Sequence, residues 1–162
     1  LLPPTATGTA PGQIQLTALG ALVSGKSSKK KYVGGQLGAE FLLNEFGGMR
    51  VSSFQEICEK NGDGLSHKLS SFRIGPALHF NPYQAFDYGT FFEGGVATLD
   101  AIDGHTSDRA PDVAIGGFLS YHLNSAFFIR AELARAWSNL EIEQVTVQQQ
   151  RTAGLLGFGV AF

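Results

Sequence analysis

The chain has 162 residues, 21 of them glycine, with 43% hydrophobic, 11% aromatic and only 16% charged residues and a formal net charge of −2. That balance excludes a basic nucleic-acid-binding face, the apolar content excludes a disordered chain, and a single cysteine, Cys58, excludes an internal disulfide framework or a multi-cysteine metal site. The length suits one domain with its own core, and the excess of glycine over the usual ~7% leaves an all-β barrel, either soluble or membrane-embedded.

Residues 1–25 carry no charge. Pro3, Pro4 and Pro11 rule out a helix there, and no basic segment precedes Leu16–Val23, so neither a signal peptide nor a membrane helix is expected within this chain. Residues 1–12 read as a flexible lead-in and 13–162 as the barrel domain. No run of apolar residues is long enough for a helical span.

From there the hydrophobic period is close to two. A first strand, about Gln13–Gly25, puts Ile14, Leu16, Ala18, Gly20 and Leu22 on one face. A second, Tyr32–Leu43, alternates Val33, Leu37, Ala39, Phe41 and Leu43 with Gly34, Gln36, Gly38 and Glu40. The third, Gly48–Cys58, is the least regular, with Phe54 beside Glu56 and a bulge as the expected cause. The fourth, Lys68–Phe80, sets Phe72, Ile74, Leu78 and Phe80 against Ser71, Arg73, Gly75, Ala77 and His79. A fifth, Ala85–Leu99, sets Phe86, Tyr88, Phe92 and Val96 against Asp87, Gly89, Glu93 and Gly95. Strands at Val113–Leu123, Ala126–Trp137 and Arg151–Phe162 complete eight.

The connections alternate in expected length. Asn44–Gly47, Asn81–Gln84 and Asn124–Ser125 are short and rich in turn formers. Lys26–Lys31, Glu59–His67, Asp100–Asp112 and Ser138–Gln150 are longer and polar, which is the layout of a transmembrane barrel. An ordinary meander with unequal loops is the alternative.

Side-chain volume indicates which face is inside. The last strand opposes Leu156, Phe158, Val160 and Phe162 with Ala153, Leu155, Gly157, Gly159 and Ala161, which are mostly too small to fill a dry core. The minority faces also carry Glu40, Arg73, Glu93, Arg130 and Glu132, with Arg50 a further candidate. Small residues mixed with opposite charges suit a narrow polar lumen, and charges inside must pair. Three readings stay open: a structural plug, a gate or narrow ion path, and a misassigned face.

The chain ends Gly157-Phe158-Gly159-Val160-Ala161-Phe162, apolar residues alternating up to a final Phe. This resembles the last strand of bacterial outer-membrane barrels, and residues 13–162 as a whole resemble the small eight-stranded family of OmpA/OmpX type. The resemblance implies an all-β, eight-stranded antiparallel up-and-down barrel integral to the bacterial outer membrane. It also implies periplasmic termini and an assembly signal at Phe158, Val160 and Phe162 read by the barrel-assembly machinery. The girdle departs from the pattern: it is mostly Phe, with one Trp, Trp137.

Some barrels of this type are lipid A-modifying enzymes. The nearest echo is Tyr121-His122-Leu123-Asn124-Ser125, whose spacing does not fit and whose His122 falls on the lumen face beside a short turn. His79 sits equivalently. Asp100, Asp103, His105, Asp108 and Asp112 would make a calcium loop or, by default, a solvated acidic one; the spacing is not that of an EF-hand. Lys26, Lys29, Lys30 and Lys31 cluster in the first long loop, where they would either contact lipopolysaccharide or simply solubilise the loop.

The expected protein is therefore a non-enzymatic monomer that needs no cofactor or metal. Its partners are the bilayer, lipopolysaccharide and the assembly machinery, and nucleic acid is not among them. Its role is structural or adhesive. A narrow porin-like channel is the main alternative, followed by a lipid A-modifying enzyme and a soluble lipocalin-like carrier.

Overall fold

The computed structural model describes residues 11–25, 31–58, 67–82, 84–101, 107–142 and 145–162. Eight strands follow in order: β1 (Ile14–Gly25), β2 (Lys31–Leu42), β3 (Gly47–Cys58), β4 (His67–His79), β5 (Phe86–Ala101), β6 (Ser107–His122), β7 (Phe127–Ile142) and β8 (Val145–Ala161). Each pairs antiparallel with the next, and β8 returns to β1 from Gln15↔Ala161 to Gly25↔Arg151, which closes the barrel. Ile14 and Phe162 extend that seam with backbone bonds of 3.2 and 2.9 Å. Closure matters because a sheet edge in hydrocarbon would leave N–H and C=O groups unpaired.

The alternation is inverted relative to a soluble barrel. Leu22, Val33, Leu37, Phe72, Leu133, Leu156 and Phe158 point outward with more than half their surface exposed, whereas Arg50, Arg73, Glu93 and Arg130 are buried inside. A soluble monomer does not carry a continuous apolar belt of this kind. No helix among the described residues is long and apolar enough to cross a membrane.

The short turns are fixed by asparagine side chains. Asn44 Oδ1 accepts from the Phe46 amide at 2.9 Å, and Asn124 Oδ1 accepts from the Ala126 and Phe127 amides at 2.8 and 2.9 Å. Asn81 Nδ2 donates to the Phe86 carbonyl at 2.8 Å. Each side chain stands in for a missing backbone partner, which is why this residue type opens such turns.

Three expectations need correction. First, the two last long loops are mostly strand. Asp100↔Ser107 and Ile142↔Val145 are ladder pairs, so β6 starts at Ser107 and β7 and β8 run on to residues 142 and 145. Beyond the bilayer no face has to be apolar, so the ladder continues on backbone bonds alone and the hydropathy signal disappears. Second, Asp112 does not belong to an acidic loop. It lies on β6 with its side chain inside the barrel, and Asp100 and Asp108 are also on strands. Asp103 and His105 lie outside the described residues. Third, β3 contains no bulge: its register to β2 and β4 is continuous, and Phe54 and Glu56 both face inward.

A charged interior as the candidate functional site

The glycines open space on the inner wall, and aromatic rings fill it. Phe91 is the register partner of Gly116, Phe118 of Gly89 and Phe128 of Gly159. A methyl group at any of these three glycines would collide with the facing ring. Two of the rings in turn carry a guanidinium: Arg50 lies 4.1 Å from the Phe91 centroid and Arg130 3.9 Å from that of Phe118. Glycine, ring and arginine thus stack from the wall toward the axis, a cation–π arrangement strengthened by desolvation.

Those two arginines build a tier nearest the short turns. Arg50 Nη1 and Nη2 donate to the two Glu132 oxygens at 2.7 Å each, and its Nε donates to Glu93 at 2.9 Å. β3 and β7 are four strands apart in a ring of eight, so this fork spans the barrel. Glu132 also accepts from Arg130 Nε at 2.7 Å and from Gln36 at 3.2 Å, and Ser52 donates to Glu93 at 3.1 Å. Arg130 Nη1 reaches Glu40 at 3.2 Å. His79 bridges Glu40 (2.6 Å) and Asp87 (2.5 Å) through its two ring nitrogens, and packs edge-on to Phe118. Bidentate and charge-assisted bonds of this kind are the strong ones, and they hold side chains that would be costly to bury alone.

A second tier lies toward the overhanging hairpins. Asp112 accepts from Arg73 Nε at 2.6 Å and from Arg151 Nη2 at 2.7 Å, and Arg73 also bonds Ser71 at 2.9 Å. Between the tiers is an apolar layer that includes Leu19, Val23, Phe54, Ala134, Ala153 and Leu155. A void there, of about 10 Å³, borders both Arg73 and Arg151.

The structure brings Glu40, Glu93, Arg130 and Glu132 into one tier with Arg50, but it places Arg73 in the other. Sequence reading missed Glu56, Asp112 and Arg151 as interior charges. It also missed the inward phenylalanines Phe54, Phe91 and Phe128; the glycine partners of Phe91 and Phe128 lie on neighbouring strands, and Phe54 faces Gln36 and Ser71. Phe158 and Phe162 point outward, and Val160 is half-buried. His122 is buried inside with its ring 5.2 Å from Phe128, while Ser125 is exposed in the turn. Lys26, Lys29 and Lys30 lie outside the described residues, and Lys31 opens β2. No group of three or more potential ligands suited to a metal occurs among the described residues.

The chain superposes on Neisserial surface protein A with a TM-score of 0.72 at 14% identity, covering 93% of this chain and 96% of that one. The fold is that of the small outer-membrane barrels. Ail, the attachment invasion locus protein of Yersinia pestis, matches at 19% identity and a TM-score of 0.58, covering 94% and 99%. It has also been solved with the heparin analogue sucrose octasulfate. OprG of Pseudomonas aeruginosa matches at 10% identity and 0.63, covering 98% and 99%. No protein-family model matches the chain, and no curated protein does.

Proposed function

We propose that the protein is a monomeric integral barrel of a bacterial outer membrane, closed to ions and active through its outer end. The observation that carries this reading is the fork from Arg50 to Glu132, which crosses the barrel between opposite walls and fills its section together with Phe91, Phe118 and Arg130. A lumen crossed by these buried ion pairs and rings supports an interior without a continuous water column, and so a role other than transport. The outer end carries the rest: polar extensions of β5–β8, with Lys26, Lys29, Lys30 and Lys31 in the sequence between β1 and β2, a combination suited to anionic sugars and phosphates such as those of lipopolysaccharide. The heparin analogue bound by Ail, a barrel of the same shape, is a precedent for polyanion recognition on this scaffold.

Planar-bilayer recording tests the first half. Silence at all voltages is expected; conductance steps that change size in Glu93→Gln or Arg130→Ala would replace this reading with a narrow channel. For the second half, lipopolysaccharide binding should weaken when Lys26, Lys29, Lys30 and Lys31 are changed to Gln together and when salt is raised. Unchanged binding would remove the lysines from the account. A gel-mobility shift between unboiled and boiled samples checks the membrane barrel itself.

A further inference from the structure

The outer wall carries an arginine directly above its apolar run. On β7 the outward positions are Phe127, Ile129, Ala131 and Leu133, then Arg135 and Trp137, and Arg135 is exposed. Arg50, Arg73, Arg130 and Arg151 are buried inside against carboxylates, and Arg109 lies beyond the apolar stretch of β6. Among the described residues no carboxylate is in ion-pair contact with Arg135. Its guanidinium lies 5.6 Å from the ring centroid of Trp137, the one tryptophan of the chain, which is within cation–π range. Thr152, also exposed, is its register partner on β8. One step below, Leu133 pairs with Gly154, where an added methyl group would meet nothing within 4 Å, so the wall is shallow there.

Depth selects the anion that meets this cation. Phe127 follows the short turn between β6 and β7. With a rise of about 3.4 Å per residue and a tilt of about 40°, Arg135 lies about 21 Å above it and Trp137 about 26 Å, at the outer edge of an apolar band about 25 Å tall. A cation at this level is costly unless paired, and its long stem lets the head reach the headgroups. A dissolved anion does not collect at the edge of hydrocarbon, whereas a phosphate on a lipid is anchored there. We propose that Arg135, Trp137 and Thr152 form a site on the outer wall for the phosphorylated sugar of a lipid A-type glycolipid. The guanidinium and the threonine hydroxyl donate to the phosphate, and an acyl chain lies over Gly154. A phosphate monoester brings about −1.5 to −2 charge and three acceptor oxygens, which suits a bidentate fork beside a hydroxyl. A zwitterionic phospholipid already balances its phosphate with its own amine. The site rests on the outer-membrane reading above, but it is a lateral contact within the leaflet and does not involve the lysine segment.

The test uses the full chain in vesicles of brominated phosphatidylcholine, whose bromines quench Trp137. Unbrominated, bisphosphorylated lipid A that takes the site displaces the quencher, so emission should recover saturably at a low mole fraction. Phosphatidylglycerol at matched charge should need about tenfold more. Arg135→Gln should raise the half-recovery fraction of lipid A about tenfold, the loss of a charge-assisted bond. Gly154→Leu fills the shallow place without altering a charge and should also weaken recovery; if the arginine variant does not insert, the leucine variant decides. Changing Lys26, Lys29, Lys30 and Lys31 to Gln together should leave the recovery at Trp137 unchanged, so a failure of the lysine reading shows separately. Recovery that rises only in proportion to added lipid overturns the proposal. So does an equal response to phosphatidylglycerol, or an unchanged response in Arg135→Gln.

Discussion

Replacing Glu132 by Gln keeps the shape of the side chain and removes the charge on which the closed tier converges. Glu132 takes three guanidinium bonds at 2.7 Å, two from Arg50 and one from Arg130, besides the Gln36 amide at 3.2 Å. A glutamine amide turns an N–H₂ group toward one of those donors, so at least one bond becomes a donor–donor clash. Two buried guanidiniums are then left with Glu40 and Glu93 as their remaining partners. Breaking a buried pair from one side costs about 3–5 kcal/mol. With a urea dependence of about 2 kcal/mol per molar, the unfolding midpoint should fall by roughly 1.5–2.5 M, read by tryptophan fluorescence in micelles. Glu45→Gln, in the exposed turn after β2, should change stability by less than about 0.5 kcal/mol. Adding Arg50→Gln to Glu132→Gln should cost less than the sum of the single changes, because the partner is already lost. A midpoint within about 0.5 M of the parent, or strict additivity, would refute the claim that this tier acts as a unit.

Gly116→Ala should destabilise by about 1–3 kcal/mol in the same assay, because the new methyl displaces the Phe91 ring and the Arg50 stack upon it. On the outer wall, Leu37→Arg should cost about 2–4 kcal/mol, since Leu37 faces outward midway along the apolar run of β2, whereas Ser24→Arg at the end of β1 should cost about 0–1 kcal/mol. Asn124→Ala removes two bonds to turn amides and should cost about 1–2 kcal/mol, measured as a lower urea midpoint with an unchanged slope.

What could be read from the chain follows from where water and lipid meet the strands. In the stretch that crosses the bilayer, every second residue faces hydrocarbon, so Phe72, Ile74, Leu78 and Phe80 spell out β4 without ambiguity. Outside it the constraint lapses, and Ser107–Pro111 and Val145–Gln150 are strands written in polar residues. The interior was legible as charge of both signs on the minority face. Its division into two tiers was not, because Arg50 and Glu132 lie on opposite walls and no local spacing connects them. The same applies to Phe91 and Gly116. Each looks out of place in its own strand, a large ring on the small-residue face and one more glycine, and only the β5–β6 register shows that they fit together.

The tiers also answer a problem that hydrophobicity leaves unsolved in such a barrel. A one-residue slip between strands would turn every lipid-facing side chain inward, so alternation alone forbids it. A two-residue slip keeps all faces correct. On the lipid side it exchanges Leu for Phe or Val at almost no cost, since hydrocarbon does not discriminate among them. Inside, slips of this kind move Phe118 off Gly89 and onto a neighbour with no gap for it, and draw Arg130 away from Glu40 and Glu132 away from Arg50. Each strand but β1 contributes a charge to one of the two tiers, β6 through Asp112, so a slip in any of these pairings breaks at least one cross-barrel contact. The apolar belt therefore specifies that the chain is a barrel, and the buried charges, set against glycines and rings, specify which register it adopts.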